Sequence, residues 1–384
     1  MTDKDVNPSS THPPLPPTPE DERFARLRLL RSRRVGISTY KRLLAEHGTA
    51  QNALAALPEV ARAAGVSDYR ICPEGVVRAE LKAARSAGAT LIAMDMAEYP
   101  QALASLDDAP PFFWALGDIS LLKRPMISIV GARNASSLGT RTAKALARDL
   151  GAAGYVVVSG LARGVDAAAH LASMDTGTIA VQAGGVDIIY PAENTEIALQ
   201  IAKSGLRISE QPMGLQPMAR HFPSRNRLIA GLSRATIVVE AAAKSGSLIT
   251  ARDAADQGRD VLAVPGHPLD ARAAGCNMLI RDGATLIRSA ADVIEVLGNP
   301  GEATQLPLKL EKTAEHSAPE RLPDIASLHG KILARLGPSP VAEDQLIRDL
   351  QAPTAQVTPA LVDLELDGQI TRRPGGLLAK VVQD

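Results

Sequence analysis

The sequence predicts an α/β chain: a Rossmann-like, doubly wound, mostly parallel sheet, with a helical domain before it and a winged helix after it. Three observations lead there. Five apolar runs in the middle of the chain end in glycine or glutamate and are separated by amphipathic stretches. The front part carries leucines at helical spacing and reads as helix throughout. The last part shows helical periodicity followed by two short apolar segments around Pro374-Gly375-Gly376. A chain of 384 residues, 45% apolar, has room for two or three domains, each with its own core.

In chain order, residues 1–20 are rich in Pro, Ser and Thr, lack a basic-then-apolar leader pattern, and read as a disordered tail. Residues 21–87 read as a helical domain of the SAM or helix-hairpin-helix kind. Leu27, Leu30, Leu43, Leu44, Leu54 and Leu57 suit amphipathic helices broken at Gly36, Gly48 and Gly65. The turn Val35-Gly36-Ile37-Ser38 before a helix resembles a helix-hairpin-helix turn, whose amides could meet a phosphate; a plain helical cap accounts for it more simply.

Residues 88–298 form the sheet domain. Its clearest strands are 126–131 (MISIVG), 155–160 (YVVVSG), 178–184 (TIAVQAG), 235–240 (ATIVVE) and 260–266 (DVLAVPG). Continuous apolar runs of this kind fit parallel strands covered on both faces. Helices are expected between them, as over 140–150 and 247–257. A linker at 299–323 contains Pro300, Pro307, Pro319 and Pro323 among charged residues. Residues 324–384 read as helices over 325–336, 341–350 and 358–367, then strands over 369–372 and 377–382, the plan of a winged helix.

Composition narrows the function. Lys+Arg and Asp+Glu are equal at 42 each, so a nucleic-acid site must be a local patch. Cys72 and Cys276 lack metal-ligand spacing and read as buried thiols in a reducing cytoplasm. No apolar run approaches the roughly 18 residues of a membrane span. The G-x-G-x-x-G fingerprint, a P-loop, a G-x-S-x-G elbow and paired metal-binding histidines are all missing, so no cofactor, metal or catalytic residue is expected.

In a doubly wound sheet, ligands bind beyond the carboxyl ends of the strands. Here those ends carry Gly131 and Arg133; Ser159, Gly160, Arg163 and Gly164; Gly184; and Lys244, Ser245, Gly246 and Ser247. Phe222, Arg225, Asn226 and Arg227 lie just before the fourth strand. Glycines admit a close ligand, helix starts near Gly164 and Ser247 offer free amides, and arginine forks suit phosphate. Singly, each glycine fits a structural turn and each arginine a surface ion pair. Asp166 fits a helix cap, and His170 fits packing better than chemistry. Recurrence at one sheet edge points to a ligand with several phosphates.

The segments 159–170 (SGLARGVDAAAH), 222–233 (FPSRNRLIAGLS), 245–251 (SGSLITA), 264–266 (VPG) and 279–284 (LIRDGA) together closely resemble the DNA-processing protein A (DprA/Smf) family. The resemblance covers the whole sheet domain. It implies a cytoplasmic, non-enzymatic protein that binds single-stranded DNA, loads the RecA recombinase and protects incoming DNA during natural transformation. It also implies a homodimer, with single-strand-binding protein a further candidate partner, and it places DNA contacts at Arg133, Arg163, Arg225, Arg227, Lys244 and the neighbouring glycines. Ala132 stands where a Ser or Thr is common, which removes one hydroxyl contact.

Aromatic residues near this edge are scarce, Phe222 being the obvious one, so binding should rest on phosphates and be salt-sensitive. Arg225 and Arg227 are expected to neutralise phosphates, with Gly131, Gly160 and Ser247 amides cradling them. From residue 324 onward, Lys331, Arg335, Arg348, Arg372, Arg373 and Lys380 face eight acidic residues; only Arg372-Arg373 suits phosphate, which favours protein contact or weak DNA binding there. Two other readings compete. One is a nucleotide-processing hydrolase of the lysine-decarboxylase-like group, against which stands the missing glycine run after Glu240. The other is a transcription regulator acting through the winged helix.

Overall fold

The computed structural model describes residues 19–300, 325–337, 339–350, 352–373 and 377–381. The expected tail and linker fall almost wholly outside these residues. Two compact units are present, residues 1–304 and 305–384.

In the first unit, helices α1 (Pro19–Arg31), α2 (Ile37–His47), α3 (Ala50–Ala63) and α4 (Glu74–Ala87) come first. The predicted breaks are real: Gly48 and Gly65 take positive φ at helix ends, and Gly36 is the N-cap of α2. Their buried face gathers Leu27, Leu29, Leu43, Leu54 and Leu57 with Phe112 and Trp114 of the sheet. At this seam Arg31 grips Glu80 through two bonds of 2.9 and 2.8 Å, and the Trp114 indole donates to the same carboxylate at 2.8 Å.

The sheet has nine strands: β1 (Thr90–Ala93), β2 (Phe112–Gly117), β3 (Met126–Val130), β4 (Val156–Ser159), β5 (Thr178–Val181), β6 (Leu206–Ser209), β7 (Ala235–Val238), β8 (Asp260–Ala263) and β9 (Thr285–Leu286). Their order is β1-β2-β6-β5-β4-β3-β7-β8-β9. From β6 across to β9 all pairs are parallel; β2 runs antiparallel to both β1 and β6. Strands β3, β4, β5 and β7 are buried along their whole length, as their apolar runs require. Around them lie α5 (Gln101–Ala104), α6 (Ser137–Ala152), α7 (Val165–Ala172), α8 (Thr195–Ser204), α9 (His221–Leu232), α10 (Ser247–Asp256), α11 (Ala274–Arg281) and α12 (Ala290–Leu297). Both faces of the sheet carry an apolar core. The chain builds outward from β3 through β4, β5 and β6, then returns to place β7, β8 and β9 on the other side. The crevice between the ends of β3 and β7 is therefore the topological switch point.

The second unit has α13 (Ile325–Arg335), α14 (Glu343–Leu350) and α15 (Thr354–Leu366) with β10 (Val341–Ala342), β11 (Ile370–Arg373) and β12 (Leu377–Lys380). Two boundaries differ from the sequence reading. The 341–350 segment opens as a strand that pairs with β12, giving a three-stranded wing sheet. Helix α15 starts at Thr354 rather than 358, because Pro353 takes the N-cap and Pro359 sits inside the helix. Arg372 bonds Glu343 at 2.7 Å and Glu365 at 3.4 Å, so only Arg373 of the wing pair is left without a carboxylate among the described residues.

Candidate nucleic-acid interface

At the switch point lies a cleft of about 770 Å³. Its walls are the loop after β3 (Gly131, Ala132, Arg133, Asn134), the side of α9 (Phe222, Arg225, Asn226), and the loop after β7 running into α10 (Lys244 to Ser247). Asp166 forms part of the floor and Arg272 approaches from a later loop. Among the described residues the lining carries four cations, Arg133, Arg225, Lys244 and Arg272, against one carboxylate, Asp166.

Glycines bring these loops together. A Cβ on Gly131 would lie 2.7 Å from Val165 Cγ2, and one on Gly164, which has φ +74°, would lie 2.2 Å from the Ala132 carbonyl. The loops after β3 and β4 can therefore touch only without side chains there. Gly246 is different. Its φ is −63° and a Cβ would meet nothing within 4 Å. The fold does not demand a glycine at this point, but an approaching ligand would find bare backbone.

Two helix starts border the cleft and are used differently. At α6, Ser136 Oγ accepts from the Gly139 amide at 2.9 Å, and Glu240 accepts from the Ser136 amide at 2.8 Å. A carboxylate already occupies the positive end of that helix. At α10 the N-cap is Gly246 and the capping is local: the Ser247 amide donates to Ser245 Oγ at 3.4 Å, and the Leu248 and Ile249 amides donate to the Ser245 and Gly246 carbonyls at 3.1 Å each. Among the described residues no carboxylate occupies this end of the helix dipole.

The floor is ionic and buried. Arg225 is 6% exposed and donates to the carbonyls of Gly160 and Val181 and to Asn226 Oδ1. Burial pushes its guanidinium down to about 10, against the pull of Asp166, so it stays charged near neutrality. Asp166 is not the N-cap of α7, which is Gly164; its Oδ2 accepts from the Gly160 and Ala162 amides and ties back the preceding loop. Burial pushes this carboxyl up, opposed first by Arg225 and then by those amides. His170, fully buried, is pushed down to about 3 by burial and by Arg225. Thr178 Oγ1 donates to the Val157 carbonyl at 3.1 Å, so it accepts from His170 Nδ1 at 2.7 Å. That fixes the neutral tautomer and a packing role.

The structure brings Gly131, Arg133, Phe222, Arg225, Asn226, Lys244, Ser245, Gly246 and Ser247 to the cleft and keeps six candidates off its lining. Ser159 is buried and donates to the Ile129 carbonyl. Gly160 lies beneath Arg225, and Gly164 is the close-contact turn. Gly184 is buried against the Leu215 carbonyl. Arg163 is exposed and pairs with Glu193 at 3.6 Å. Arg227 pairs with Glu210 and Asp108 and donates to the Asp108 carbonyl. Of the two arginines expected to neutralise phosphates, Arg227 is thus committed elsewhere and Arg225 is a pinned wall. Arg133 and Lys244, both exposed, have no carboxylate partner among the described residues.

Sequence reasoning missed two participants. Arg272 enters from a loop outside every strand end considered. Tyr190, half-exposed, stands edge-on to Phe222 with ring centres 5.7 Å apart. Arg133 and Arg225 approach the same Phe222 ring at 5.5 and 5.9 Å, giving a small aromatic and cationic cluster at one end of the cleft.

The family model for DNA recombination-mediator protein A matches residues 90–298 of the chain. The model for a DprA-like N-terminal HHH domain matches 20–83, and that for a DprA winged helix domain matches 316–376. DNA processing protein DprA of Bacillus subtilis is 44% identical over 220 residues, covering 56% of this chain and 74% of its own length. Protein Smf of Synechocystis is 35% identical over 308 residues, covering 73% of this chain and 77% of its own. The crystal structure of DNA processing protein A from Streptococcus pneumoniae superposes with a TM-score of 0.55 at 39% identity, over 58% of this chain and 77% of that one. A solved structure of DNA processing protein A from Helicobacter pylori, which concerns its single-stranded DNA binding mode, gives 0.51 at 31% identity, over 54% of this chain and 95% of that one.

Proposed function

The chain belongs to the DprA/Smf family of DNA recombination mediators, and from that premise we propose that its cleft binds single-stranded DNA along the phosphate backbone. One observation carries the reading. Arg133 and Lys244 are cations without carboxylate partners among the described residues, and Lys244 stands beside the start of α10, where Gly246 exposes backbone that the fold itself does not need bare. A strand would lay one phosphate at Lys244 and the Gly246 backbone and another near Arg133. The Phe222–Tyr190 pair offers a face for a base.

In this reading Arg225 and Asp166 shape the wall rather than capture phosphate, and the remaining family positions at Ser159, Gly160, Arg163, Gly164, Gly184 and Arg227 support the cleft from behind or from its flanks. The protein acts as a mediator in the cytoplasm, as a homodimer. It hands the coated strand to RecA, in exchange with single-strand-binding protein, and protects incoming DNA during transformation. In this reading the protein is a mediator and not an enzyme, and Asp166, whose Oδ2 accepts from two amides beside Arg225, serves to hold the loop after β4.

Fluorescence anisotropy of a labelled oligo-dT against an equal-length duplex, at two salt concentrations, tests the proposal. Preferential binding of the single strand that weakens steeply with salt is expected. Equal, weak binding to both would overturn it and bring forward a small-nucleotide site.

A further inference from the structure

We propose that Arg272 is an additional phosphate-binding residue of the cleft, supplied by the loop between β8 and α11 and held in reserve by Asp270. The inference rests on the single-strand reading above. It concerns a residue outside the segments that carry the family resemblance, which stop at Gly266 and resume at Leu279.

The loop is anchored at both ends to the part of the sheet that carries the cleft. The Gly266 amide donates to Asn277 Oδ1 at 3.1 Å, and Asn277 Nδ2 returns a bond to the Gly266 carbonyl at 3.0 Å. The Gly275 amide donates to the Ala241 carbonyl at 2.8 Å, just beyond β7. A Cβ on Gly275 would lie 2.8 Å from that same oxygen. Within the loop, Asp270 and Ala273 amides donate to the His267 and Asp270 carbonyls, each at 2.9 Å. Arg272 is therefore presented at the cleft by a loop pinned to the exit of β7, the strand that leads to Lys244.

The side chain is occupied in a way that resembles its proposed task. Asp270 Oδ1 accepts from the Arg272 amide at 2.9 Å and from Nε at 3.2 Å, while Oδ2 accepts from Nη2 at 3.3 Å. A carboxylate thus lies across the guanidinium fork, the arrangement a phosphodiester would adopt. The side chains are 49% and 38% exposed, so the pair is solvated and weak, and a phosphate can take the fork at little cost. The other facing charge is Glu240, whose carboxylate is turned to the start of α6. Asp270 masks the charge of the arginine until a polyanion arrives, which lowers affinity for isolated anions more than for a strand already held at Lys244.

The test uses oligo-dT anisotropy at two salt concentrations on the full chain, comparing wild type with Lys244→Ala, Arg272→Ala, Asp270→Asn and the Arg272→Ala/Asp270→Asn double variant. Arg272→Ala should weaken binding roughly fivefold and reduce the steepness of the log–log salt dependence by about 0.7, the share of one single-strand phosphate contact. Asp270→Asn should tighten binding about two- to fivefold. The double variant should bind like Arg272→Ala. Wild-type affinity in Arg272→Ala would overturn the proposal. So would an equal gain from Asp270→Asn in the Arg272→Ala background, which would mean that Asp270 acts only as a general negative charge. If Lys244→Ala weakens binding while Arg272→Ala does not, only this inference falls. If wild type shows no single-strand binding, the wider reading falls with it.

Discussion

Arg225 and Lys244 border the same cleft. The guanidinium of Arg225 is closed in by two carbonyls and Asn226 and sits over a buried carboxylate; the ammonium of Lys244 stands in solvent with no carboxylate partner among the described residues. The glycines divide the same way. Gly160 is required because Arg225 lies against it, whereas Gly246 has empty space around it. The floor uses charge and close contact to hold three loops in place, and the rim leaves charge and backbone unspent for a ligand. Position in a shared motif therefore does not separate the two roles; burial and existing partners do.

Breaking the floor should cost stability and breaking the rim should cost binding. The largest effect is expected from Arg225→Ala, which leaves Asp166 and two carbonyls without their partner: about 3–5 kcal/mol by urea denaturation, with Arg225→Lys recovering little of it. A loss under about 1 kcal/mol would mean that the floor is not a structural unit.

Next come the two glycines. Gly160→Ala drives a Cβ to 2.3 Å from a guanidinium that cannot retreat, and should destabilise by roughly 1–3 kcal/mol. Gly246→Ala should leave the urea midpoint within about 0.5 kcal/mol of wild type yet weaken single-strand binding. Equal stability losses in both would erase the distinction.

The pH response sharpens the same point. His170 is depressed in the folded state to about 3 from 6.5, so the unfolded chain takes up the proton first. Its contribution is full above pH 6.5 and is lost as pH falls toward 3, at about 1.4 kcal/mol per unit. His170→Gln should therefore be destabilising at pH 7.5 but lose roughly 2 kcal/mol of that deficit by pH 5. A pH-independent difference in urea denaturation would contradict the neutral, packed role. The smallest effect is Lys244→Ala: unchanged stability, about five- to tenfold weaker oligo-dT binding at low salt, and a shallower salt dependence.

Much of the fold was legible because β3, β4, β5 and β7 are buried along their length and, with the half-covered β8, read as apolar runs. Strands β1, β2, β6 and β9 were not. Strand β2 follows Pro110-Pro111 and pairs antiparallel, and β6 contains Arg207, buried and bonded to Gln182 and the Val186 carbonyl, which breaks the apolar pattern. Helix α9 escaped for a related reason: His221, Arg225 and Asn226 are buried along with Leu228 and Ile229, so it has no clean polar face. The sheet edge and most lining residues were legible from glycines and cations recurring at strand ends. The division between floor and rim was not, since Asp166 lies 59 positions before Arg225 and nothing local marks them as neighbours. The ion pair of Arg227 was hidden for the same reason, its partner Glu210 lying beyond any helical spacing.

The seam where Arg31, Glu80 and Trp114 meet bears on where this polypeptide can be cut. Removing the four front helices would take away both the carboxylate that receives the indole N–H and the apolar cover of Phe112 and Trp114. The shortened sheet would expose two large rings on β2, one strand in from its antiparallel edge, an apolar surface suited to self-association. A fragment beginning at the sheet should thus be recovered as aggregates unless Phe112 and Trp114 are replaced by polar residues, and the proteolytic boundary to seek lies after the sheet, not before it.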